Sequence, residues 1–240
     1  MVRSPRILWR ANAWFKCRSS QQAHALTPFL TTPEPELPQF PFLTLLVSGG
    51  HTLLLLATST TNFRILATTS DESIGRSIDK VSRMLGLAWV GIGPGAALER
   101  FCASHPDVET PSLDPLPRPM PGQLGFSFSG IHSAVERFVT ARRDQAMDLP
   151  TKLALARAFQ SAVIEHIQDK VLLALKRCTE QNIAVRHLVM SGGVASNMAL
   201  RQRSANNAAM IAWASMNRFL AGDYDDYAID LRAKWSIEDL

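Results

Sequence analysis

Two copies of a Ser-Gly-Gly motif, each at the end of an apolar run, are the residues best suited to holding an anion. The first lies in residues 44–52 (TLLVSGGHT) and the second in residues 188–197 (LVMSGGVASN). Glycine adopts positive φ without a Cβ clash, and a glycine turn can present backbone N–H groups to a phosphate. A tight turn between core elements would use the same residues. The repetition favours two nucleotide-facing lobes.

The elements that position the first motif are predicted from the apolar pattern. Short apolar runs have the length of buried strands at residues 42–47, 53–57 and 63–68. An amphipathic stripe predicts a helix over residues 71–87 that Gly86 ends. Beside that stripe, Asp79 either faces a cleft at the sheet edge or pairs on the helix surface with Arg76 or Arg83.

A second glycine-rich stretch, residues 91–95 (GIGPG), precedes another predicted helix, with Pro94 at a favourable first-turn position. A loop that leads into a helix N-terminus is a suitable place for an anion, although the same residues could only turn a corner. Further along, residues 126–130 (FSFSG) alternate with the period of a half-buried edge strand.

The longest predicted helix is opened by Asp148, and its apolar stripe marks it as a core helix. His166 lies among polar positions of this helix and is expected to be solvated. Another helix is predicted over residues 206–220.

Composition indicates a globular protein of 240 residues, 46% of them hydrophobic, with a net charge of +4. Its pI of about 9.2 is compatible with a nucleic-acid partner. No apolar run reaches the roughly 20 residues that span a bilayer. Cys17, Cys102 and Cys178 are far apart, which favours a reducing compartment over a disulfide framework or zinc site.

The basic start of the chain, residues 1–33, has five Lys or Arg residues and no acidic residue. This pattern is typical of a mitochondrial presequence, but an irregular basic terminus produced by a truncated or mis-spliced reading frame would have the same composition. The expected location is mitochondrial in the first case and cytoplasmic otherwise. Four prolines in residues 31–41 then predict an extended connector. The folded domain is therefore expected to comprise residues 40–240.

Six motifs, in this order, resemble the tRNA threonylcarbamoyladenosine transferase family, and most closely its mitochondrial, glycoprotease-like branch. They are LLVSGGHT (45–52), GRSIDKVSRMLGL (75–87), RPM (118–120), FSFSG (126–130), VMSGGVASNMALR (189–201) and NAAMIAW (207–213). The resemblance covers about residues 24–240. It implies an α/β fold of the actin, heat-shock chaperone and sugar-kinase superfamily, with a nucleotide cleft between two lobes and no counterpart of the family's amino-terminal segment before residue 20.

The function implied by the resemblance is transfer of a threonylcarbamoyl group from its adenylate to the exocyclic amine of the adenosine beside the anticodon. The implied partners are tRNA and an adenine nucleotide, with a homodimer as a further expectation. The resemblance assigns nucleotide binding to Leu46, Val47, Ser48, Gly49 and Gly50 in the first motif, and to Asp79, Gly93 and Asn197. An acid suits ribose hydroxyls, glycines admit a phosphate, and an amide can read a base edge.

The resemblance also implies one divalent metal ion, iron or zinc, held by two histidines and an aspartate. His24 matches the second histidine, whereas Ser20 and Asn206 stand where the other two ligands should be. His132 replaces a lysine that usually follows FSFSG, and a segment between Arg201 and Asn206 is expected to be missing.

Two other functions stay open. One is a catalytically inactive remnant that binds a nucleotide or a protein partner, which the loss of metal ligands favours. The other is a metallopeptidase, for which the chain lacks an H-E-x-x-H helix.

Overall fold

The computed structural model describes residues 24–33, 37–88, 93–144 and 146–201. The chain divides into two compact units, Met1–Met198 and Ala199–Leu240. The first unit carries everything described below. Residues 1–23 of the predicted presequence, among them Ser20, lie outside the described residues, as do Asn206 and the helix over residues 206–220.

A four-stranded sheet forms the centre of the first unit, in the order β3-β2-β1-β4. Its strands are β1 (Phe42–Val47), β2 (Thr52–Ala57), β3 (Phe63–Thr68) and β4 (Leu188–Ser191). β1 pairs with β2 in antiparallel register and with β4 in parallel register. Every residue of β1 and β2 is buried, as expected when an apolar run is covered on both faces.

The helices whose bounds the structure gives are α1 (Pro28–Thr31), α2 (Ile74–Met84), α3 (Pro94–Ala103), α4 (Ser129–Thr140) and α5 (Leu149–Glu180). A short 3₁₀ turn, Gly193–Ser196, follows β4. The predicted α/β class is therefore confirmed. None of the helices in the described ranges is both long and apolar enough to cross a membrane.

Helix α2 buries its predicted stripe, including Ile74, Ile78 and Val81. It begins three residues later than predicted because the Ser73 hydroxyl caps it, accepting a hydrogen bond from Arg76 N. Asp71 and Glu72 therefore stay outside the helix, where their carboxylates bind other elements.

The strand predicted at FSFSG does not form. Phe126 makes only an isolated bridge with Thr69, and Ser129 is already the first residue of α4. The cause is Asp71, whose carboxylate accepts hydrogen bonds from the backbone N–H groups of Phe128 and Ser129 at 3.1 and 3.2 Å. These bonds satisfy the start of a helix instead of a strand ladder.

The expectation that His166 is solvated is also wrong, because long-range packing covers it. His166 is 4% exposed, its ring meets Phe126 and Phe128 edge-on, and its Nε2 accepts from Ser127 N at 3.2 Å. Burial lowers the pKa of His166 to about 4, with the neighbouring Lys170 charge acting in the same direction.

Candidate functional site

The two Ser-Gly-Gly motifs meet at one edge of one sheet. In the parallel β1–β4 pair, Leu46 lies opposite Ser191, so both strands end at the same place. The interpretation that the copies belong to two separate lobes is wrong, because parallel pairing brings the carboxyl ends of the two strands together.

Backbone packing explains the glycine at position 192. Gly192 has φ +99°, and a Cβ there would lie 2.9 Å from the Val47 carbonyl carbon and closer still to its oxygen. Both the positive φ and the close approach require glycine.

The hairpin loop between β1 and β2 differs from its prediction. Neither Gly49 nor Gly50 is among the residues with positive φ. The loop also bonds mainly to itself, since Ser48 Oγ accepts from Gly50 N at 3.3 Å and from His51 N at 3.0 Å. Most of the N–H groups expected to cradle an anion are therefore engaged. The loop instead contributes open space, because nothing lies within 4 Å of a Cβ built at Gly49 or Gly50.

Next to this loop lies a cavity of about 400 Å³, a volume typical of small-molecule sites. Four of the eight predicted nucleotide-binding residues line it: Gly49, Asp79, Gly93 and Asn197. The other four, Leu46, Val47, Ser48 and Gly50, do not. Leu46 and Val47 are buried in β1, and Ser48 and Gly50 are held within the hairpin.

The N-terminus of α3 faces this cavity. Gly93 is the N-cap and Pro94 follows it in the first turn, as the glycine-rich stretch predicts. Gly95 and Ala96 also line the cavity, and within the described part of the chain their N–H groups have no hydrogen-bond partner. Free N–H groups and the helix dipole together favour a bound anion.

Two carboxylates complete the cavity wall. Asp79 projects from α2 into the cavity, as the cleft alternative predicts. Glu99 lines it from α3, and its Oε1 accepts from Met198 N at 2.6 Å, next to Asn197. Sequence reasoning missed Glu99, although it lies four residues after Gly95 and thus on the same helical face.

Asp71 and Glu72, just before α2, contact α4 and the residues that lead into it. Burial acts to raise the pKa of Asp71, but hydrogen bonds from the Ser127 and Ser129 hydroxyls and from backbone N–H groups outweigh it and hold the pKa well below its usual range. Glu72 contacts the buried His132 of α4 and accepts from Lys80 Nζ at 2.6 Å. His132, the replacement for lysine, thus contacts a carboxylate that lies just before α2.

Of the three metal-ligand positions, only His24 lies within the described residues. Its Nδ1 is 3.4 Å from Ser191 Oγ, which places it near the end of β4. In the described ranges no group of three or more His, Cys, Asp or Glu side chains could hold a metal ion.

Comparison with known proteins identifies the family. The model of the tRNA N6-adenosine threonylcarbamoyltransferase family matches residues 17–218. The chain therefore belongs to this family.

Curated relatives carry the same name. The enzyme from Bordetella avium is 37% identical over 91% of this chain and 67% of its own length. That from Sphingopyxis alaskensis is 36% identical over 90% of this chain and 63% of its own length. The chain thus spans about two thirds of the length of these relatives.

Among solved structures, the chain is similar to component A of (R)-2-hydroxyglutaryl-CoA dehydratase from Acidaminococcus fermentans. The TM-score is 0.43 and the identity 16%, over 78% of this chain and 57% of that chain. This likeness is too slight to say anything about function.

Proposed function

We propose that this protein transfers a threonylcarbamoyl group from its adenylate to the exocyclic amine of an adenosine in tRNA. Family membership supports the reaction class. The observation that carries the proposal is the cavity itself, which Asp79, Asn197 and the N-terminus of α3 surround. These groups are the ones that an acyl adenylate needs.

Each part of such a ligand has a matching group in the cavity. The carboxylates of Asp79 and Glu99 can accept hydrogen bonds from ribose hydroxyls, and the amide of Asn197 can pair with the edge of a base. The N–H groups of Gly95 and Ala96 suit the phosphate. Gly49 leaves room for the ligand because it has no side chain.

The proposed reaction is an acyl transfer in which AMP is the leaving group. The amine nitrogen of adenosine attacks the carbonyl carbon of the threonylcarbamoyl group, the bond from that carbon to the phosphate oxygen breaks, and AMP leaves while the nitrogen loses a proton. The cavity residues bind and orient the adenylate for this attack, and orientation alone can account for a large share of a rate enhancement.

A binding-only protein is the second candidate, because Ser20 and Asn206 replace two of the three ligands that the resemblance assigns to a metal. A serine hydroxyl and an amide oxygen bind iron or zinc less well than imidazole and carboxylate. This protein would bind an adenine nucleotide without transferring the acyl group.

Complementation separates the two candidates. Cells that lack their own mitochondrial transferase would receive this chain or the Ser20→His/Asn206→Asp variant, and tRNA nucleosides would be measured by mass spectrometry. Threonylcarbamoyladenosine with the unaltered chain supports the transferase. Its absence in both strains, together with calorimetric binding of AMP to the purified chain, supports the binding-only protein.

We also propose that residues 1–33 direct the protein to mitochondria, on the basis of their five basic and no acidic residues. A fusion of these residues to a fluorescent protein should co-localise with a mitochondrial dye. Diffuse cytosolic fluorescence would contradict this proposal. Homodimerisation stays a prediction, which light scattering of the purified chain can check.

A further inference from the structure

The first turn of α2 contacts the hairpin loop through three hydrogen bonds. Ser73 Oγ donates to Gly49 O at 2.6 Å, Gly75 N donates to Ser48 O at 3.3 Å, and Ile74 N donates to Thr52 Oγ1 at 2.9 Å. The carbonyls of Ser48 and Gly49 are therefore satisfied by α2, whereas that of His51 accepts from Ser48 N within the loop. Its shape on the cavity side depends on the position of this helix.

At Gly75 the two backbones are so close that no side chain fits. A Cβ built at Gly75 lies 2.6 Å from Gly49 Cα and 2.7 Å from Ser48 O. Both obstructing atoms belong to the backbone, so the clash cannot be relieved by rotating a side chain. A larger residue must push the hairpin loop away from α2.

We propose that Ser73 and Gly75 are positioning residues, which hold Gly49 at the wall of the cavity and so determine how an adenylate is seated; Gly75 also lines the cavity itself. This inference rests on the proposed function. The loop needs such support because a Gly-Gly pair has the greatest backbone freedom of any dipeptide. Ordering it in advance removes an entropic cost that ligand binding would otherwise carry.

The first test compares two glycine-to-alanine variants in AMP binding, measured by calorimetry on the full chain. Gly75→Ala should weaken AMP binding by about tenfold to a hundredfold, since displacements near 1 Å have effects of that size. Gly130→Ala is the matched control, because it lies in α4 and a Cβ there has nothing within 4 Å. It should leave the affinity unchanged.

The second test uses serines and does not depend on whether Gly75→Ala folds. Ser73→Ala removes the hydroxyl that bonds Gly49 O and should weaken AMP binding about fivefold, in line with one lost hydrogen bond. Ser73→Thr keeps a hydroxyl and should restore most of the affinity. Ser77→Ala is the control, because Ser77 is also a buried serine of α2 but its Oγ donates to Phe128 O at 3.4 Å.

Amide hydrogen exchange gives a readout that a loss of global stability does not produce. In Ser73→Ala, exchange should accelerate at Gly50 and His51 of the loop and stay unchanged in the core of β1. Equal AMP affinity in wild type, Gly75→Ala and Ser73→Ala would overturn the inference while leaving the proposed function intact. Failure of the wild-type chain to bind AMP would overturn the adenylate site itself and the inference with it.

Discussion

The two Ser-Gly-Gly motifs have the same sequence and end neighbouring strands, yet protein packs against the first glycine of one copy and leaves the first glycine of the other open. At Gly192 a positive φ and the nearby Val47 carbonyl exclude every side chain. At Gly49 and Gly50 a Cβ would meet no atom within 4 Å. The first glycine thus serves the fold in one copy and leaves space for a ligand in the other, whereas Gly193, like Gly49, lines the cavity and has no atom within 4 Å of a Cβ built there.

The polar groups follow the same division. We use the term packed side for residues whose polar groups bond to other protein groups, such as Asp71 and His166, which bond to the segment that leads into α4. We use the term cavity side for residues that line the cavity, such as Asp79 and the first residues of α3, whose N–H groups face open space. Substitutions on the packed side should change stability, and substitutions on the cavity side should change ligand binding.

The largest effect is expected for Gly192→Ala. A strained φ together with a backbone clash should lower the free energy of unfolding by about 3 kcal/mol. Gly50→Ala is the control and should change it by less than about 1 kcal/mol, because space is available there. Urea denaturation of both variants measures the difference, and equal stabilities would show that the two motifs are not distinct in this way.

Asp71→Asn should lower the free energy of unfolding by about 2 kcal/mol. An amide cannot accept all the hydrogen bonds that Ser127, Phe128 and Ser129 now donate to the carboxylate. Asp144→Asn, at a side chain that is 96% exposed, should have no measurable effect. An unchanged AMP affinity in Asp71→Asn would place Asp71 on the packed side, and a large loss of affinity would contradict that placement.

The buried His166 should make the protein less stable in acid. Its pKa of about 4 in the folded protein lies below the 6.5 of an unperturbed histidine. Between these values the unfolded chain binds more protons, so the free energy of unfolding falls as pH drops, by about 2 kcal/mol from pH 7 to pH 5.

The test of this pH dependence is His166→Gln, whose amide oxygen can still accept from Ser127 N but does not titrate. The difference in unfolding free energy between wild type and variant should change by that amount over the same pH range. A pH-independent difference would show that His166 does not account for the acid sensitivity.

On the cavity side, Asp79→Asn should weaken AMP binding about tenfold, or about 1.4 kcal/mol, by removing a charged acceptor for ribose hydroxyls. The free energy of unfolding should stay within about 0.5 kcal/mol of wild type. Asp169→Asn, on the exposed side of α5, is the control for loss of a carboxylate elsewhere. An affinity that Asp79→Asn leaves unchanged would remove Asp79 from the site.

Local patterns predicted the local structure well. Strands β1 and β3 have the predicted bounds, and α2 buries the predicted stripe. These predictions succeed because the spacing of apolar residues along a short segment determines which of its faces is buried. The larger errors are long-range, although the hydrogen bonds that Ser48 accepts within the hairpin loop are local and were also not predicted. The strand at FSFSG does not form because Asp71, distant in the sequence, accepts hydrogen bonds from Phe128 N and Ser129 N. His166 is buried because Phe126 and Phe128, also distant in the sequence, pack against its ring.

Sequence patterns also predict only part of the candidate site. Asp79, Gly93 and Asn197 were selected by resemblance and do meet in one cavity. The packing of Gly75 against the loop and the entry of Glu99 into the cavity depend on how α2 and α3 are arranged in space. No pattern of adjacent residues encodes that arrangement.

The parallel pairing of β1 with β4 also has a kinetic consequence. Leu46 and Ser191 come together only when nearly the whole described chain has been made, and contacts of such high sequence separation form slowly because a long loop must close first. The hairpin β1–β2 can form early, but Asn197 and the second glycine pair join it late. On the ribosome, the cavity therefore cannot take up a nucleotide until β4 has emerged, and any stabilisation by the ligand comes at the end of folding.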